Sequence, residues 1–187
     1  MIVVHMQTTL DNRIATAGGT FWDPFPWGEQ EQAHINDCYR TAGTWAMSRV
    51  LYDAIVPWWE EVAAGGVPTG AGTPSAADLE FARLLAGLRK VVFTGDAGFT
   101  AAPALRGDLA PQLAALRADS ADVILSAGPA TLAPLWPVVD ELLLAVHPVV
   151  IAEGPSLFTV PLSLEHRSTT TFPSGVQVVR YAVHPPR

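Results

Sequence analysis

The residues that suggest chemistry are small or hydroxylic and sit where apolar runs end. Thr8, Thr9 and Asp11 follow the run 2–6. Ser48-Arg49 follows the run 43–48, Thr94-Gly95 closes 90–94, and Ser126-Ala127-Gly128-Pro129-Ala130-Thr131 follows 122–126. The segments at 48 and 126–131 also open helical patterns. A helix N-terminus leaves backbone N–H groups unpaired, and small residues let an anion reach them. Arg49 adds a guanidinium suited to phosphate. Each segment alone is an ordinary turn or cap. Gathered at the ligand edge of one sheet, they favour a dinucleotide.

Other residues carry two readings each. Asp11 is a proton relay or the first residue of an Asp-Asn turn. Glu141, beside Asp140, is half of an acid pair or, by preference, a solvated strand end. Trp22 and Trp27 have flat faces that would stack a planar substrate, and packing of their loop onto the body accounts for them equally well. The five His (5, 34, 147, 166, 184) show no pairing with another His or Cys at ligand spacing, so no metal site is expected. There is no G-x-S-x-G, no Walker lysine motif and no G-x-G-x-x-G. Cys38, the single cysteine, falls on an apolar helical stripe and reads as buried filler.

The elements that must position these residues follow from periodicity. A buried strand is expected over 2–6, β-branched at Val3 and Val4. The loop 9–29 carries Phe21, Trp22, Phe25 and Trp27, so it must pack on the body or cover a site. A helix over 29–42 places Ile35, Cys38, Tyr39 and Ala42 on one face. A strand over 43–48 and a helix over 49–63 come next, and Pro57 should kink that helix or end it early. The Gly- and Pro-rich stretch 64–75 is a surface loop, and Ser75 caps a helix over 76–88. A strand 90–94, helix 108–118, strand 122–126, helix 131–136 and apolar run 139–150 complete the alternation. Strands over 161–172 and 176–183, joined by Pro173-Ser174-Gly175, form an antiparallel pair.

This order predicts an α/β fold with three αβα layers, a mostly parallel sheet and antiparallel C-terminal edge strands. Ligands then bind outside the carboxyl ends of the strands, at loops 9–29, 48–50, 94–100, 126–131 and 148–156. The 187 residues make one domain, 1–187. An apolar share of 49% against 16% charged excludes disorder, and a net charge of −7 argues against nucleic acid as a partner. No run of 18 residues is free of charges, prolines and turn signals, so no membrane span is expected. No signal peptide is read at residues 1–5, and the expected setting is the cytoplasm.

The motifs in their order resemble the dihydrofolate-reductase-like superfamily, and within it the reductase domain of the riboflavin-biosynthesis deaminase/reductase. Thr9-Leu10-Asp11-Asn12-Arg13-Ile14-Ala15 resembles S-L-D-G-x-I-A, and Ser48-Arg49-Val50-Leu51-Tyr52-Asp53 resembles G-R-x-T-Y-E, with Trp58-Trp59 where a tryptophan commonly follows. Lys90-Val91-Val92-Phe93-Thr94 resembles the strand ending in S-R-T-L. Ser126 to Leu132 resembles the G-G-x-x-L phosphate loop. Val139 to Leu142, Pro148-Val149 and Glu153 to Phe158 resemble V-D-E-L…P-V…G-x-G-x-x-L-F. Six short motifs in the right order cover residues 9 to 158.

The resemblance implies a reductase using NADPH or NADH, often a homodimer. The nicotinamide would lie against Thr9, Ile14 and Ala15, the phosphates at Ser48, Arg49 and Ser126, Ala127, Gly128, Pro129, Ala130 and Thr131, and the adenosine end near Thr94 and Gly95. A small planar substrate, pterin- or pyrimidine-like, would sit under the 16–28 loop and face Asp11, with Trp22, Trp27 and Glu141 as candidate contacts. The chemistry would be hydride transfer to a polarised C=N or C=O. A surplus of apolar strand over 139–151 and 176–183 also argues for a homodimer.

The departures bear on the cofactor. Ser48 stands for a glycine, and Ala127-Gly128 for a double glycine whose peptide is commonly cis in the family. A cis bond there costs about 3–4 kcal/mol and at Gly128–Pro129 far less, so a rebuilt loop is expected. Asp96 follows Thr94-Gly95 where the family has an arginine. Its carboxylate repels a 2′-phosphate and can accept from a 2′-hydroxyl, so NADH should be accepted and selectivity for NADPH should stay below about tenfold. Two alternatives stay open: a binding module that kept the fold without the cofactor, and an enzyme using a flavin or deazaflavin.

Overall fold

The computed structural model describes residues 1–20, 23–25, 27–70, 72–119 and 121–184, with the backbone alone at 119. Eight strands form one sheet: β1 (Ile2–Thr9), β2 (Ala42–Ser48), β3 (Arg89–Phe93), β4 (Ala104–Leu105), β5 (Asp122–Ser126), β6 (Glu141–His147), β7 (Ser163–Thr171) and β8 (Gln177–His184). The helices are α1 (Glu29–Arg40), α2 (Arg49–Ala63), α3 (Ala76–Gly87), α4 (Leu109–Asp119) and α5 (Pro129–Leu132), with a 3₁₀ turn at Trp136–Val138.

The strand order is β4-β3-β2-β5-β1-β6-β8-β7. Strands from β4 to β6 run parallel, and β8 and β7 are antiparallel. The sequence explains who sits where. β5 and β6 are apolar on both faces, β1 is apolar on one face and at Val3 on the other, and the three occupy the middle, where both faces are covered. β7 (Ser-Leu-Glu-His-Arg-Ser-Thr-Thr-Thr) has the charge and hydroxyl content of an edge, and most of it is exposed. One face packs Val4, Leu125, Leu142 and Leu144 against Leu113 and Leu116 of α4. The other packs Val3, Trp45, Met47 and Ile124 against Ile35 and Tyr39 of α1, Val56 of α2 and Phe81 and Leu85 of α3. Ser75 and Asp78 form a reciprocal capping box that starts α3.

Several boundaries differ from expectation. β1 runs three residues further, to Thr9, because β6 pairs with it throughout, Thr9 opposite His147. The helix expected over 131–136 starts at Pro129 and ends at Leu132. Proline suits a first helical turn, where its missing N–H is not needed, and Pro134 and Pro137 then prevent a continuous helix. α2 passes through Pro57 and continues to Ala63. β4 is two residues long, too short to show a period. Most of the apolar surplus that argued for a homodimer is absorbed inside the chain: Leu142, Leu143, Leu144, Ala145, Val178, Val179, Ala182 and Val183 are buried, and Val150 stays exposed. Among the described residues, no helix is long and apolar enough to cross a membrane.

Candidate active site

Because β1, β2, β3, β5 and β6 run parallel, their carboxyl ends share one edge. Ser48 pairs with Phe93, Met47 with Ser126 and Thr9 with His147. Along this edge the order is Thr94-Gly95, Ser48-Arg49, Ser126–Thr131, Thr9 and His147. Three strand spacings, about 14 Å, separate β3 from β1. The residues expected to hold a nucleotide are thus brought together. Ser48 is the extended N-cap residue of α2, and its side chain makes no capping bond. Gly128 precedes α5 in an extended conformation, φ −70° and ψ 166°. A Cβ at Gly95 or Gly128 would meet nothing within 4 Å, so the backbone there borders open space. No cis peptide bond occurs among the described residues, so the altered 127–129 loop is built from trans bonds.

Several of the side chains have other employment. The Ser126 hydroxyl accepts from Trp45 Nε1 at 3.1 Å and donates to the His5 carbonyl at 3.1 Å, deep under the edge. Thr94 Oγ1 accepts from the Asp96 amide. Arg49 Nε donates to both Asp53 carboxylate oxygens, at 2.7 and 2.6 Å, and its guanidinium lies 4.3 Å above the Phe99 ring. The Ala127 side chain is buried, and the Thr131 amide donates to the Gly128 carbonyl.

The corner after β1 is tied to the segment 151–157. Leu157 N donates to the Asn12 carbonyl, Ile14 N to the Pro155 carbonyl, and Arg13 Nη1 to the Gly154 carbonyl at 2.9 Å. Gly154 has φ +110°, and a Cβ there would overlap the Ala15 carbonyl, so only glycine fits. Asp11 joins the same seam. Thr9 Oγ1 donates to Oδ1 at 2.6 Å, and the amides of Ile151 and Ala152 donate to its carboxylate at 3.3 and 2.9 Å. These bonds, the Thr9 hydroxyl first, hold its pKa below the usual value. Asp11 is therefore an ionised anchor of the 150–152 turn, a poor source of protons. Ala15 is buried, and Ile14 packs against the core below.

Under this corner lies a polar layer that the sequence reading missed. His5, Gln7 and Thr9 share one face of β1, towards α1, and α1 answers with buried Glu31, Gln32 and Asn36. Trp27 Nε1 donates to Gln32 Oε1, Gln32 to Asn36 Oδ1, and Asn36 to the Ala77 carbonyl, each at 2.9 Å. Ser174 Oγ donates to Glu31. His147 is fully buried, with Nε2 at 2.9 Å from Gln7 Oε1, and the rings of Phe25 and Trp27 lie 4.8 and 5.7 Å from its own. Burial lowers the pKa of His147 to about 4 and that of His5 to about 4, so both are neutral at pH 7. Among the described residues, His147 Nδ1 and His5 Nε2 are buried polar atoms without a hydrogen-bond partner. The signal that could have found this layer is the alternation Val3, His5, Gln7, Thr9, which puts polar groups on one side of a central strand.

Glu141 does not join the site. It begins β6, six residues before His147, and so lies about 20 Å away at the opposite edge of the sheet. There it pairs with Arg180 at 2.6 Å. Trp27 does join, as the roof over His147. Trp22 lies outside the described residues. Among the described residues, no group of three His, Cys, Asp or Glu could hold a metal ion.

No family model matches the chain, and no curated protein matches it in sequence. Solved structures do match in fold. A provisionally named riboflavin biosynthesis protein from Shewanella sp. PV-4 superposes with a TM-score of 0.71 at 15% identity, over 98% of this chain and 99% of that one. The diaminohydroxyphosphoribosylaminopyrimidine deaminase/5-amino-6-(5-phosphoribosylamino)uracil reductase of Thermotoga maritima gives 0.68 at 12% identity; this chain spans 56% of it. Dihydrofolate reductase from Enterococcus faecalis, complexed with NADP(H), gives 0.62 at 13% identity, over 99% of this chain and 97% of that one. The chain therefore has the dihydrofolate-reductase-like fold, with structural neighbours in the riboflavin-biosynthesis reductase branch that its motifs resemble.

Proposed function

We propose that the protein is a pyridine-nucleotide-dependent reductase acting on a small planar substrate with a polarised C=N or C=O. One observation carries the reading: an open edge of small residues, from Gly95 to Thr9, meets an enclosed polar layer at Thr9 and His147. An extended cofactor and a compact polar substrate need those two environments side by side. The neighbour from Enterococcus faecalis binds NADP(H) on the same fold.

Ser48 and the backbone N–H groups of Gly128 and Ala130 would hold the phosphates, and Thr9, Ile14 and Ala15 would line the nicotinamide. The bound nucleotide supplies the hydride. The chain's own part is binding and orientation: Gln7, Glu31 and His147 present hydrogen-bonding groups to the substrate, and Phe25 and Trp27 exclude water above them. Asp11 fixes the corner and stays ionised. Pairing into a homodimer rests on the resemblance alone, and sedimentation showing only a 20 kDa species would remove it.

The test is tryptophan fluorescence titrated with NADH, NADPH and FMN. Saturable binding of a pyridine nucleotide is expected. Gly128→Leu should weaken it at least tenfold with an unchanged melting temperature, because φ −70° suits any residue and the side chain would enter the open edge. Binding of FMN alone would move the protein to the flavin reading, and binding of none of the three would leave a module that kept only the fold.

A further inference from the structure

Arg49 is the only basic residue among the nucleotide candidates on this edge, and its surroundings decide what it can bind. Its Nε faces both oxygens of Asp53, at 2.7 and 2.6 Å. Its Nη1 is 3.6 Å from Asp96 Oδ2, and its plane is covered on one side by Phe99. The Asp96 carboxylate is itself fixed, since its Oδ1 accepts from the Gly98 amide at 2.8 Å. The loop holding it is pinned by Arg106, which donates to the Asp96 carbonyl at 2.6 Å.

We propose that Asp53 and Asp96, by holding Arg49 between them, make this end of the edge a receptor for ribose hydroxyls and exclude a 2′-phosphate, so that the chain selects NADH over NADPH. This rests on the pyridine-nucleotide reading and goes further than the loop sequence, which predicts only weak selectivity. A 2′-phosphate is best held by a free guanidinium fork. Here the Nε side of the fork faces Asp53 and Nη1 faces Asp96, so both carboxylates already engage this guanidinium, while Arg106 is turned to the Asp96 carbonyl. A phosphate would add nearly two more negative charges within a few ångströms of them. A hydroxyl meets no such repulsion and finds a fixed acceptor in Asp96, beside Gly95, where no side chain blocks approach.

The experiment measures dissociation constants for NADH and NADPH by fluorescence, with AMP and 2′-phospho-AMP as competitors. It uses the wild type and the Asp53→Asn/Asp96→Asn double variant, both substitutions being at well-exposed side chains. The wild type should bind NADH at least tenfold more tightly than NADPH, and AMP more tightly than 2′-phospho-AMP. The double variant should gain at least tenfold for NADPH relative to NADH. A wild type that binds NADPH as tightly as NADH, or a double variant with an unchanged ratio, would overturn the proposal and assign the phosphate to another cation such as Arg106. Failure of both nucleotides to bind, with AMP also silent, would instead remove the pyridine-nucleotide reading on which it rests.

Discussion

Ser126 shows how one hydroxyl can look functional and be structural. It ends β5 at the ligand edge, and yet it is 6% exposed and bridges Trp45 Nε1 to the His5 carbonyl. Ser126→Ala would leave the buried indole N–H without an acceptor, a loss of about 1–3 kcal/mol. Urea unfolding should show that loss, while nucleotide affinity stays within twofold of the wild type; the opposite pattern would return the hydroxyl to the binding site. Sequence gives the position along a strand far better than the direction of a side chain. It placed Thr9, Ser48, Thr94 and Ser126 at one edge because parallel strands align their ends. It did not show that Ser126 turns inward. Asp11 illustrates the same gap, since the amides that occupy its carboxylate come from residues 151 and 152. Glu141 was misplaced for a different reason. A residue that begins a parallel strand lies at the edge opposite the ligands, which strand direction alone already implies.

At the level of elements, α1 and α2 each break a simple rule. The apolar stripe of α1 is shared with buried Glu31, Gln32 and Asn36, whose hydrogen bonds go to Ser174, Trp27 and the Ala77 carbonyl. Periodicity scores such positions as polar and assigns them to solvent, so a helix that packs polar side chains inward is underread. α2 retains Pro57 at an exposed position eight residues past its start. The ring removes the hydrogen bond that the Asp53 carbonyl would accept, and packing of Val56 and Val62 on both sides of the proline sustains the helix. Pro57→Ala restores that bond and relieves the ring contact. Part of the gain is returned through a less restricted unfolded chain. The net stabilisation should be about 2 kcal/mol, a rise of several degrees in melting temperature for a chain of this size. An unchanged or lower melting temperature would show that the packing of Trp58 and Trp59 requires the proline.

Across the whole molecule, the two neutral histidines tie fold stability to pH. His5 and His147 have pKa values lowered by burial to about 4, against 6.5 for the free side chain. The folded state therefore binds protons less readily than the unfolded one, and the stability this represents is present above pH 6.5. It is lost as pH falls from 6.5 towards 4, where the folded histidines also take up protons. By pH 5 the loss is roughly 1–2 kcal/mol for each histidine. Asp11 and Glu80 have pKa values lowered from 3.8 and 4.5, so their contribution disappears only as pH falls below the ordinary carboxylate range. The general charge effect has the opposite sign. With a net charge of −7, mild acid reduces self-repulsion and by itself favours the compact state. A drop in stability between pH 7 and pH 5 thus isolates the histidines. The urea midpoint should fall over that interval, and His147→Leu should reduce the fall by somewhat less than half, because His5 and His34, whose pKa burial also lowers, still titrate. Equal midpoints at pH 7 and pH 5 in the wild type would mean that the layer between β1, β6 and α1 admits protons in the folded state, and that the roof of Phe25 and Trp27 does not keep it closed.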